Sequence, residues 1–152
     1  MLSMQVRPGL LAQAIHGSVT GEEFTALAEQ AFHHPALGDD FVVISRIAPR
    51  SVREAPGDDF RKAAAEMIKR HQPRLRGFAF VVLGSPMLGA TVRAIITGIT
   101  FLSRSPHPEK AFGDIDEAAQ WLHDLHPEVS VADIVAAVDD LVVMWQTQAE
   151  TA

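Results

Sequence analysis

Cysteine is missing from this chain, so neither disulfide nor thiolate chemistry is open to it, and that absence is compatible with a reducing compartment. Long apolar runs are missing as well. The most hydrophobic stretch, residues 87–102, falls short of the roughly 20 residues a bilayer-spanning helix needs and carries Arg93 near its middle. The first residues lack the basic flank and unbroken apolar core of a secretory signal, because Gln5, Arg7 and Gln13 interrupt them. A cytoplasmic chain without membrane association is therefore expected. No fixed-period repeat, low-complexity tract or linker divides the sequence. Its 152 residues, 47% of them hydrophobic, are expected to form one domain over 1–152 that buries roughly two-thirds of its unfolded surface.

Charge is present but unevenly spread. Nine of the thirteen basic residues lie between Arg46 and Arg76, against four acids, so this segment carries +5 and leaves −11 on the rest of a chain whose total is −6. Such asymmetry can steer an acidic partner, or the chain's own acidic C-terminal part, toward the basic segment; two solvated helix faces are the plainer reading. The acidic total, with Phe60 the one Phe, Trp or Tyr in the basic segment, excludes nucleic acid as the expected partner.

The chain then reads as alternating extended and helical segments. Residues 4–7 and 10–16 flank Pro8-Gly9 as a hairpin. Thr20, with Glu23 three residues on, starts a helix whose face is Phe24, Leu27, Ala28 and Ala31, and His33-His34-Pro35 stops it. Phe41-Val42-Val43-Ile44 is the continuous apolar run of a central strand covered on both faces. Asp58 is expected to cap a second helix bearing Phe60, Ala64, Met67, Ile68 and His71, ended by Pro73. A second apolar strand spans 78–83, and Gly84-Ser85-Pro86 opens a helix over about 86–103. A last strand occupies 106–112. Asp114 and Glu117 predict a reciprocal cap for a helix reaching about 125, and an amphipathic helix follows over about 130–148 with Ile134, Val135, Val138, Leu141, Val142 and Trp145 at helical spacing. The fold class is α/β: a hairpin, then strand–helix repeats around a mixed, mostly parallel sheet of about five strands, with an added C-terminal helix.

This order resembles the STAS domain, the fold of anti-sigma-factor antagonists and of the cytoplasmic modules of sulfate transporters. The residues that carry the resemblance are His16-Gly17-Ser18-Val19-Thr20 before the first helix, the strands at Phe41 and Phe78, and the stretch from Asp114 to Leu122 with its Glu-Ala and Trp-Leu pairs. It covers residues 1 to about 125. It implies a non-enzymatic bacterial regulatory module that acts in signalling through protein–protein contact. Signalling members carry an Asp-Ser-Ser-Gly element whose serine is phosphorylated. Here the corresponding stretch reads Ala55-Pro56-Gly57-Asp58-Asp59-Phe60, without serine, so Asp58 and Asp59 would supply a fixed charge where a switch supplies a removable one. The resemblance places the partner surface on Arg46, Arg50, Arg53, Asp58, Asp59 and Arg61.

Two candidate chemistries are weak. His123 and His126 have a helical spacing of three, but no third metal ligand is identifiable, and histidines near a helix C-terminus also suit its dipole. Ser85 lacks the flanking glycines of a nucleophile elbow and reads first as a cap, with a small anionic ligand at that helix end as the alternative. Neither a catalytic residue nor a cofactor is expected. The helix over 86–103 is apolar around much of its circumference, so either the C-terminal helix covers it or a second copy does, a homodimer centred on Leu88, Ile95, Ile99, Leu141 and Trp145 being the favoured reading. An apolar or anionic small molecule held by the same fold is the alternative function.

Overall fold

A computed structural model describes residues 1–48, 57–82, 90–91, 93–94, 96–98 and 107–151; side chains are described through 147. Five strands form one mixed sheet in the order β1 (Leu2–Arg7), β2 (Leu10–Ile15), β3 (Phe41–Ile47), β4 (Leu75–Val82), β5 (Glu109–Phe112). β1 and β2 are antiparallel and the remaining neighbours are parallel. Among the described residues they are accompanied by α1 (Gly21–Phe32), α2 (Asp58–His71), α3 (Ile115–Leu125) and α4 (Val131–Thr151), together with a 3-10 turn at Pro35–Leu37. Every described position between 90 and 98 is also helical. Among the described residues no helix is long and apolar enough to cross a membrane.

Strand order dictates which helix covers which face. From β2 to β5 the chain advances one strand at a time in a single direction, and right-handed crossovers repeated in one direction put their helices on one side of a sheet. Accordingly Phe24 and Ala28 of α1, Phe60 and Met67 of α2, and Ile96 share one core with Leu11, Val43, Phe78 and Phe80. The opposite face has no crossover to cover it. α3 and α4, which follow the last strand, do so: Ala118, Ala119 and Leu122 with Ile134, Ala137, Val138 and Leu141 pack on Leu10, Ala12, Val42, Ile44, Ala79 and Val81. β3 lies in the middle of the sheet, and its side chains alternate between the two cores. Its run Phe41-Val42-Val43-Ile44 is accordingly apolar without a break and buried.

The element starts follow local chemistry, with departures from expectation. Thr20 Oγ1 accepts from the Glu23 N–H at 3.1 Å, but Glu23 Oε1 accepts from the Leu2 N–H at 3.2 Å and so ties α1 to β1. Asp114 Oδ1 accepts from the N–H groups of Asp116 and Glu117 at 2.6 and 3.3 Å. Asp58 does not cap α2: Gly57 is the N-cap, without a capping side chain, and Asp58 sits inside the first turn with its side chain 88% exposed. Finally, β5 is shorter than expected and begins at Glu109.

The basic segment is largely satisfied within the chain. Arg70 pairs with Glu29 at 2.8 Å, Arg76 with Asp40 at 3.0 Å, and Arg61 approaches Asp58 at 4.0 Å. Arg74 donates to the carbonyls of Phe32 and Gly38 at 3.2 and 2.7 Å while lying over the Phe41 ring. Among the described residues the acids that meet the basic segment are therefore Glu29, Asp40 and its own Asp58. Asp140 of the acidic C-terminal part pairs instead with Arg7 at 2.6 Å.

Candidate functional site

Parallel sheets present their ligand sites outside the carboxyl ends of the strands. At that end of β2 and β3 a cavity of 130 Å³ opens, lined by Met1, Ser3, Ala14, Ile15, His16, Arg46, Ala48, Leu141, Val142 and Trp145. Register explains its floor. Ser3, Ala14, Arg46, Val81 and Phe112 are paired in sequence across the five strands, so they form one row on the face covered by α3 and α4. Ser3 and Ala14 are small, and space is left beside Arg46 where larger side chains would have filled it.

Helix length explains the roof. α4 has 21 residues, about 31 Å at 1.5 Å per residue, whereas β2 with six residues spans about 20 Å. Its fully buried positions end at Leu141. Beyond this point the helix runs past the end of β2, and Trp145 lies against His16, with ring centroids 4.2 Å apart and planes inclined at 56°. Main-chain bonds between Met1 and His16 hold β1 and β2 together at the same end. The cavity thus has an apolar roof, a floor of small residues and a guanidinium at one side. Among the described residues no carboxylate pairs with Arg46. An unpaired cation beside an aromatic ring and aliphatic carbons is suited to hold a molecule with one anionic group and an apolar body.

The described residues expected to form a partner surface come from two elements. The alternation of β3 directs Arg46 to the face of α4, whereas Asp59 and Arg61 belong to α2 on the other face. Asp59 is already engaged: its Oδ2 accepts from the Gly21 N–H at 2.9 Å, and that hydrogen bond holds its carboxyl below the ordinary carboxylate value. Asp58 is exposed. Arg50 and Arg53, Ser85, and Leu88, Ile95 and Ile99 lie outside the described residues.

Of the expected dimer residues that are described, Leu141 is 0% exposed and belongs to the core of its own chain. It has no surface left for a second copy, and the C-terminal helix packs on its own sheet. Trp145 is half-buried in the cavity wall. His123 and His126 are both drawn into the chain: His123 Nδ1 bonds to the Val129 carbonyl at 2.7 Å, and the buried His126 ring packs where a Cβ on Gly9 would lie only 2.9 Å from its Nε2. Gly9 has φ +69°, a second reason for glycine there.

Sequence reading placed Arg46 and Trp145 in separate surfaces and gave Ser3 and Ala14 no role. Their shared row was encoded in the period-2 alternation of β1 to β3, but the place of α4 above it was not.

Comparison of the chain with protein-family models, with curated proteins and with solved structures finds no match in any of the three.

Proposed function

We propose that this chain is a non-enzymatic binding module of STAS-like type that holds a small molecule at the carboxyl end of its sheet. The observation that carries this reading is Arg46, without a carboxylate partner among the described residues, in a 130 Å³ cavity lined by Leu141, Val142 and Trp145. The STAS-like assignment is supported by the capped start of α1 after His16-Gly17-Ser18-Val19-Thr20, by β3 and β4, and by the Asp114-capped α3. Native mass spectrometry of protein purified from its own cells tests the function. An added small-molecule mass is expected, reduced in an Arg46→Gln, Trp145→Ala double variant; an unliganded spectrum, with no small molecule from a diverse library binding at the cavity, would contradict it.

A second reading has its own observation. Val143 and Met144, exposed by 59% and 49%, follow the last buried turn of α4 beside the cavity mouth. In this reading the same end of the molecule docks a cytoplasmic protein partner in bacterial regulation without a serine switch, or a second copy of the chain. A partner recovered from the native cell by wild type but not by a Val143→Glu, Met144→Glu variant with an unchanged circular-dichroism spectrum would favour it. Equal recovery by both would count against it.

A further inference from the structure

The cavity has enough chemistry to specify the kind of molecule it takes. Its volume, 130 Å³, is close to that of an engineered protein cavity of about 150 Å³ that admits benzene, so one ring or a short branched chain fills it. Most of the wall is carbon: Ile15, Leu141, Val142 and the ring of Trp145. Among the described residues of the lining Arg46 is the one arginine or lysine, and its planar fork matches a carboxylate in two parallel hydrogen bonds. Ser3, two strands away in the same row, adds a hydroxyl to the floor.

The charge count separates a carboxylate from a phosphate. Phosphate carries close to two charges at neutral pH and is ordinarily met by several cations or by a row of main-chain N–H groups at a helix start. The row beneath this cavity supplies one cation, the Met1 ammonium in the lining is engaged by the carbonyls of His16 and Ser18, and the helix that roofs the cavity contributes residues from its C-terminal half. The chain also carries a net charge of −6, which disfavours a second negative charge on the ligand more than a first.

Resting on the ligand-binding reading above, we infer that the ligand is a small monocarboxylate, aryl or short branched alkyl, whose carboxylate pairs with Arg46 and whose apolar body lies under Trp145. Benzoate is the probe, with benzyl alcohol as its neutral counterpart and phenyl phosphate as the dianion, titrated calorimetrically into the full chain at pH 7.5.

Benzoate is expected to bind at least tenfold more tightly than either of the others. Arg46→Gln should remove that advantage, leaving the affinity for benzyl alcohol within twofold of wild type. Equal or tighter binding of benzyl alcohol or phenyl phosphate by the wild-type chain overturns the monocarboxylate assignment while leaving a ligand cavity in place. The assignment also falls if all three probes fail to bind, or if Arg46→Gln keeps the benzoate preference. Binding of an unrelated molecule at Trp145 would then preserve the broader reading, and failure of a diverse library to bind there would remove it too. The wild-type comparison stands even if the variant does not fold.

Discussion

The backbone N–H of Gly21 donates to Asp59 Oδ2 at 2.9 Å, which joins the first turn of α1 to the first turn of α2. The approach is so close that a Cβ on Gly21 would lie 2.7 Å from the Asp59 carbonyl oxygen, a backbone atom with little freedom to withdraw. Gly21→Ala should therefore destabilise the chain by about 1–3 kcal/mol in urea unfolding, as overpacking against a fixed neighbour does. The bond also has an acid signature. The carboxyl of Asp59 is held below its unfolded value of 3.8, so its contribution is complete above that pH and is lost as pH falls through the lower folded value. Asp59→Ala should flatten that part of the acid-denaturation profile.

His71 should make stability fall on mild acidification. Its ring is buried, stacks on Phe32 at 4.6 Å and faces Arg74 through Nδ1 at 3.3 Å. Burial, and then the positive charge of Arg74, push its pKa below the ordinary 6.5. The unfolded chain thus binds the proton first as pH drops. The stabilisation is fully present above about 6.5 and is lost as pH falls through the folded value. Chemical denaturation between pH 7.5 and 5 should show this decline, and His71→Leu should reduce the slope.

Ser45 is fully buried in the middle of β3, and its Oγ has no hydrogen-bond partner among the described residues. A buried hydroxyl left unsatisfied costs free energy, so Ser45→Ala is expected to leave stability unchanged or raise it by up to about 1 kcal/mol. A loss above about 1 kcal/mol in denaturant titration would show that the hydroxyl is bonded in solution.

Leu141→Ala should cost about 2–5 kcal/mol, the usual range for a leucine removed from a closed core. Because the side chain is buried within its own chain, the loss should not vary with protein concentration. A midpoint that climbs with concentration in wild type and ceases to do so in the variant would place Leu141 between two copies instead.

Much of this arrangement was legible in the residues. Thr20 and Asp114 announce helix starts because a short side chain that accepts from main-chain N–H groups has few better places to be. The unbroken run from Phe41 to Ile44 announces a strand covered on both faces. The position of α4 was not legible, since amphipathicity says that one face is buried without saying against what. The direction of the strand order supplies that answer, because it leaves one face of the sheet without crossovers. The setting of Arg46 was not legible for a related reason. Taken with Arg50 and Arg53 it resembles part of an exposed loop, but it is the penultimate residue of β3, and strand alternation turns it away from α2 toward the helix whose place was unknown. The engagement of Asp59 was not legible either, because its partner, a main-chain N–H 38 residues away, leaves no mark in the local sequence.

The two tryptophans provide the most direct measurement of the central claim, that the carboxyl end of the sheet is a ligand site. Trp145 lines the cavity, while Trp121 on α3 packs against Phe112 at 5.5 Å and does not. In ¹⁵N-labelled protein their indole N–H signals can be assigned with Trp121→Phe and followed during titration with a diverse set of small molecules, carboxylates included. Saturable movement of the Trp145 signal, with Trp121 unmoved, is the predicted result. A Trp145 signal that stays fixed across the whole set would contradict the account.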